Sequence, residues 1–226
     1  GVTGGSQYHR YPVEEFWAAE DEFAVEIGPN RFDLTGLSLD LADEQGSVRG
    51  HVDLGATHPW PVTWRSPGIM GWYAWLPFMQ CYHGVLSFDH GLTGALTLDG
   101  WAVDFTGGRG YMEKDWGKAF PEAYVWLQSN HFQSPEISVV ASVAIIPWLG
   151  SAFPGFIIGL WLEGTLYRFA TYTGARLTTL RVSDEEVAIV AEDDNHRLSL
   201  VAQRREGGLI KGPTELDMGQ RIHETL

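Results

Sequence analysis

Arg109-Gly-Tyr-Met-Glu-Lys-Asp-Trp-Gly-Lys-Ala-Phe-Pro-Glu-Ala-Tyr-Val-Trp-Leu-Gln-Ser-Asn-His-Phe132 crowds carboxylates, indoles, amides, lysine and histidine into the length of two strands and a turn. At the strand period of two the run sorts into faces. Tyr124, Trp126, Gln128, Asn130 and Phe132 fall on one side; Val125, Leu127, Ser129 and His131 fall on the other. In the first half, Tyr111, Glu113 and Asp115 share a face, and Met112, Lys114 and Trp116 share the opposite one. An aromatic face carrying two amides is a poor core, because each buried amide must find partners or cost a few kcal/mol, about 1–3 in proteins. It suits a cavity for a large, mostly apolar ligand with a polar head.

Outward from this run the chain keeps the same character. Short apolar segments are separated by Gly, Asp and Asn turns. Strands are expected at residues 23–27, 31–41, 47–54, 85–88, 94–98 and 101–105, with Leu98-Asp-Gly-Trp101 a hairpin turn. Others are expected at 138–146, 156–163, 167–172, 177–182, 187–191 and 197–203, with Glu192-Asp-Asp194 a solvated hairpin turn. Helical signals are confined to residues 12–21 and 215–226. This spacing predicts an all-β protein, an antiparallel barrel or sandwich. A long connection rich in Pro, Gly and Trp, residues 57–77, separates two strand sets, which places a soft boundary near Met70: residues 1–70 and 71–226.

Composition narrows the function classes. The chain has 226 residues, 44% of them hydrophobic and 19% charged, as in an ordinary globular protein. A formal charge of -14 argues against nucleic acid and against an anionic membrane surface as partners. The single Cys81 excludes an internal disulfide, and on this reading a Cys-based zinc site as well. No apolar stretch is long enough to span a bilayer, since Pro147, Gly150 and Pro154 interrupt the best one, so no stable membrane insertion is expected. There is no nucleophile elbow and no P-loop, and Gly107-Gly-Arg-Gly110 leads into a strand rather than a helix.

A second polar cluster, Gln80-Cys-Tyr-His-Gly-Val-Leu-Ser-Phe-Asp-His90, puts His83 and Asp89 on one face and Tyr82 and His90 on the other. His and Asp together serve acid–base chemistry or metal binding. A metal would require His58 or His131 to join by folding, and none is expected; structural roles for these histidines remain the alternative.

Glu113-Lys114-x-Trp116-Gly117, Phe120-Pro121 and Trp126-x-Gln128-x-Asn130-x-Phe132 together closely resemble the signature of the tocopherol cyclases. Phe16-Trp17, Glu26-Ile-Gly-Pro-Asn-Arg-Phe32, Gly71-Trp-Tyr-Ala-Trp-Leu-Pro-Phe-Met-Gln80, Tyr167-Arg-Phe169, Glu192-Asp-Asp-Asn-His196 and Gly212-Pro-Thr214 extend the resemblance over nearly the whole chain. It implies two lipocalin-like β-barrel halves packed together. Such proteins carry further strands ahead of a region like Gly5-Ser-Gln-Tyr8, so either the first half is expected to be incomplete or the sequence to be a fragment.

The resemblance also implies a reaction without a cofactor on a hydrophobic small molecule. A carboxylic acid protonates a prenyl double bond, and a phenol oxygen closes a chroman ring on the cation. Glu113 is the implied donor, because the plant enzymes have Asn at the position of Asp115, which leaves Asp115 a secondary acid. An ion pair of Glu113 with Lys118 or Arg109 is the structural alternative. Trp116, Trp126, Tyr124 and Phe132 are candidates for cation and chain contacts, and Gln128 and Asn130 for the head group. Gln80, Tyr82, His83, Asp89 and His90 complete the set, with His83 as a further acid–base candidate. The plant enzymes lack these histidines, so any role for them belongs to this protein's own branch. The aromatic residues would equally serve a carrier without chemistry, and alkene protonation would equally serve a hydratase or cyclase of carotenoid-type or natural-product alkenes. The expected setting is the cytoplasm, with transient membrane contact.

Overall fold

A computed structural model describes residues 9–44, 46–77, 79–117, 119, 121–134 and 136–205, and the backbone alone of 209–211 and 221–223. The regular elements among the described residues are strands apart from three short 3₁₀ turns, so the chain is all-β as the turn spacing predicts. By contacts it divides into two units that interleave along the sequence: Gln7–Trp60 with Val85–Glu113, and Gly1–Ser6 with Pro61–Gly84 and Lys114–Leu226.

The first unit is a meander. Its antiparallel strands are β1 (Phe16–Ala18), β2 (Ala24–Ile27), β3 (Asn30–Asp33), β4 (Gly36–Asp43), β5 (Gly46–Leu54), β6 (Cys81–Leu98) and β7 (Trp101–Asp104), hydrogen-bonded in chain order, and β8 (Arg109–Gly117) pairs with β6; Cys81–Gly84 of β6 and Lys114–Gly117 of β8 are counted with the second unit. The β6–β7 turn is the expected one. Leu98 pairs with Trp101, and Asp99 and Gly100 take φ of 50° and 87°, the positive values that a tight two-residue hairpin needs. Trp60, 1% exposed, stacks on Phe88 at 6.0 Å and anchors this core.

Three expectations for this unit need correction. Residues 12–21 form only one 3₁₀ turn, Val13–Glu15, because Phe16–Ala18 pair with Val25–Ile27 instead of continuing a helix. The segments 85–88 and 94–98 are not separate strands but parts of the single long strand β6. Residues 31–41 do not run as one strand. Asp33 Oδ1 accepts hydrogen bonds from Thr35 N–H at 2.8 Å, Thr35 Oγ1 at 2.6 Å and Gly36 N–H at 3.0 Å, closing a turn between β3 and β4.

Those bonds, with Arg31, hold the Asp33 carboxyl down at about 2. A depressed acid stabilises the fold above its unfolded value near ~4, and that contribution disappears as the pH falls through its folded value. Asp33→Ala is expected to cost about 1 kcal/mol at neutral pH. The thermal midpoint of the wild type should fall more steeply than that of Asp33→Asn as the pH is lowered from about 5 to about 2. Parallel acid profiles would show that the turn does not depend on the charge.

Among its described residues the second unit holds three further sheets. The largest has the order β12 (Thr165–Ala170), β11 (Ser151–Leu162), β10 (Ile137–Trp148) and β9 (Tyr124–Ser129); next is β13 (Arg176–Val182), β14 (Glu186–Glu192) and β15 (Arg197–Gln203). A two-stranded ladder, β16 (Leu209–Lys211) with β17 (Arg221–His223), is the third. Residues 221–223 are therefore extended where a terminal helix was expected, and the rest of the 215–226 expectation lies outside the described residues, as do Gly5–Tyr8, Lys118, Phe120 and Gly212–Thr214.

The core of this unit contains Ala141, Val143, Phe156, Ile158, Phe169, Ile189 and Ala191, with Val125 and Leu127 packed against it. The hairpin turn expected at 192–194 joins β14 to β15, where Asp193 Oδ1 accepts the Asn195 and His196 N–H groups, each at 2.7 Å.

Candidate active site

In the second unit, Val125 and Leu127 of β9 point into the core, so the alternate residues Tyr124, Trp126 and Gln128 must lie on the opposite face of their sheet. The register extends that face. Tyr124 pairs with Ala144, Trp126 with Ser142 and Gln128 with Val140, while Ser138 continues the same parity along β10. It is not a solvated face throughout. Ser138 and Val140 are buried, as is Asn130 just past the end of β9. Gln128 Nε2 and Ser138 Oγ are buried with no hydrogen-bond partner among the described residues, and so is Gln80 Oε1 elsewhere in this unit. Buried polar atoms are normally paired, so each of these has hydrogen-bonding capacity that a polar group of a ligand could use. Trp126 and Phe132 are partly exposed, and burial, with a smaller contribution from the charge of Cys81, pushes the Tyr124 hydroxyl pKa above its ordinary value.

Elsewhere in the same unit, the first residues of β6 meet the last of β8. His83 Nδ1 lies 2.5 Å from Asp115 Oδ1. The opposite face carries Tyr82 stacked on Trp116 at 5.5 Å, with the Lys114 ammonium 5.1 Å from the Trp116 ring. Tyr82 donates its hydroxyl hydrogen to the Leu76 carbonyl. Trp116 is half-exposed, with Lys114 and Tyr82 both packed against its ring.

The first unit carries the other polar cluster. Tyr111 donates a short hydrogen bond to Glu113 Oε2, and Glu113 is half-buried. Arg109 forms a two-point ion pair with the buried Asp89, its Nε reaching Oδ1 at 2.7 Å. Buried His90 sits 2.9 Å from Ser87 Oγ, and burial, reinforced by His58, lowers its pKa. His83 and Asp89, placed on one face by the sequence, thus each take a partner from β8: Asp115 for one and Arg109 for the other. Ser138 and Tyr111 were not among the sequence candidates. Parity within their strands was the available signal for both.

A family model described as tocopherol cyclase-like matches residues 38–226. The chain belongs to that family. Among curated tocopherol cyclase relatives, it is 29% identical over 163 residues to the "Probable tocopherol cyclase, chloroplastic" of Oryza sativa subsp. japonica, covering 68% of this chain and 33% of the rice protein. It is 32% identical over 108 residues to the "Tocopherol cyclase, chloroplastic" of Zea mays, covering 46% of this chain and 23% of the maize protein. The chain thus spans about a third or less of the length of these relatives. No solved structure matches it. No helix among the described residues is long and apolar enough to cross a membrane.

Proposed function

We propose that this chain catalyses acid-promoted ring closure of a prenylated quinol, or a similar phenolic isoprenoid, to a chroman. The observation that carries the reading is the partly buried face of β9 and β10 in a tocopherol cyclase-like chain, where Gln128 and Ser138 atoms without a partner among the described residues accompany Tyr124 and Trp126. Amides and a hydroxyl can bind quinol hydroxyls, and the aromatic rings suit a prenyl chain and a transient cation.

In this reading Glu113 gives its proton to the less substituted alkene carbon, and the electron pair of the double bond forms the new C–H bond. The tertiary cation is captured by the phenol oxygen, and the phenolic proton returns to a carboxylate. The step is an isomerisation, so it consumes no oxidant or reductant. Gln128 and Asn130 hold the head group, Trp116 and Trp126 contact the chain, and Asp115 with His83 serves as the secondary acid–base pair. A substrate of this kind partitions into lipid, so transient membrane contact in a cytoplasmic setting belongs to the same proposal.

The test is incubation of the purified protein with a prenylated benzoquinol, following an isomeric product by mass-resolved chromatography. Chroman formed above the protein-free rate supports the cyclase. Saturable quenching of Trp fluorescence without product would replace it with an isoprenoid carrier, and a product heavier by one water would replace it with a hydratase.

A further inference from the structure

We propose that Cys81, His83 and Asp115 form a binding site for one divalent ion of the zinc class. The alternation of β6 puts Cys81 and His83 on one face, and the partner strand β8 brings Asp115 to them, all within the second unit. One thiol sulfur, one imidazole nitrogen and one carboxylate oxygen lie within 4.8 Å of one another. Donors sharing a tetrahedral ion with bonds of about 2.0–2.3 Å stand roughly 3.3–3.8 Å apart, so the ion would enter by opening the His83–Asp115 pair and drawing the thiol in, small side-chain movements in both cases. The side chains of His83 and Asp115 are 23% and 33% exposed, Asp115 being the most open of the three residues.

The local backbone favours the approach. A side chain at Gly117 would place its Cβ 2.2 Å from the Gln80 carbonyl oxygen and 2.8 Å from Cys81 Cα, so glycine there permits β8 to lie close to Cys81. The neighbouring cation is turned away, since Lys114 lies over Trp116.

The donor set selects the metal. Thiolate with imidazole and carboxylate matches zinc and its spectroscopic substitute cobalt, whereas magnesium and calcium prefer oxygen alone. Three protein ligands leave a fourth position for water or an oxygen of a bound molecule. The single cysteine is no obstacle, because one thiolate suffices where imidazole and carboxylate supply the rest. The residues that join His83 are Cys81 and Asp115, not the His58 or His131 considered from sequence.

This inference rests on the donor geometry and not on the cyclase reading; with the ion bound, His83 and Asp115 are its ligands and no longer the secondary acid–base pair, so the test is binding. The full chain, stripped with a chelator, is titrated with Co²⁺ and, in competition with a chromophoric chelator, with Zn²⁺. The expected result is one equivalent bound, with a sulfur-to-cobalt charge-transfer band in the near ultraviolet. Cys81→Ser should abolish the band, and Cys81→Ser, His83→Asn and Asp115→Asn should each weaken zinc binding by roughly tenfold or more. In the unsubstituted chain, Zn²⁺ should slow alkylation of Cys81 by iodoacetamide, a readout that does not depend on any variant folding. No charge-transfer band in the wild type, or alkylation at the same rate with and without Zn²⁺, would overturn the proposal.

Discussion

Glu113→Gln is expected to lower the rate of chroman formation by about 10² to 10⁴, the usual contribution of a placed general acid, equivalent to about 2.7–5.4 kcal/mol of barrier. The substitution keeps the shape and removes only the acidic proton. Tyr111 can still donate its hydroxyl hydrogen to the amide oxygen that takes the place of Glu113 Oε2, so that contact survives the substitution. Stability should therefore change by less than about 1 kcal/mol, and quinol binding, read from Trp quenching, should stay near its wild-type value.

Two companions make the result specific. Tyr111→Phe removes the hydrogen bond to Glu113 while leaving the acid, and should cost about tenfold or less. Asp115→Asn should also lose less than Glu113→Gln, because Asp115 is engaged with His83. The reverse ranking would transfer the proton to Asp115. A loss below about threefold in Glu113→Gln would remove Glu113 from the role, since no general acid contributes so little.

What the sequence made legible followed from local periodicity. Tyr124, Trp126 and Gln128 separate from Val125 and Leu127 in the structure because a strand alternates regardless of its neighbours, and the core then captures the purely apolar side. Turns with their own chemistry were equally readable, as at Asp99-Gly100. Where a side chain overrode the period, the reading failed: Asp33 closes a turn inside an otherwise good alternation by gathering three donors on one oxygen.

Partner choice was the other limit. The period of β6 correctly aligned His83 with Asp89, but residues spaced along one strand point the same way without meeting. Their partners came from β8, and nothing in either strand's own sequence states the register between them. For the same reason a single cysteine read as excluding a Cys-based metal site, whereas β8 brings Asp115 beside Cys81 and His83.

Arg109→Met is expected to be the most destabilising of the substitutions considered, at about 3 kcal/mol. Asp89 is 4% exposed, and its carboxylate receives both arms of the Arg109 fork, from Nε at 2.7 Å and from the second nitrogen on the other oxygen. Losing the guanidinium would strand a buried charge, and that penalty exceeds whatever the intact pair contributes. Arg109 itself is 31% exposed, so water can partly replace it, which places the estimate at the low end of the range for buried pairs. For a chain of this length about 3 kcal/mol corresponds to a fall of roughly 6–12 °C in the thermal midpoint. Arg109→Lys keeps the charge but loses the two-point geometry, and should fall between. The decisive variant is the double substitution Arg109→Met with Asp89→Asn. It removes the stranded charge as well as its partner, and should recover most of the loss despite carrying one more change. If the double variant is as unstable as the sum of its parts, the cost lies in packing of the arginine stem against β6 and not in an unpaired carboxylate.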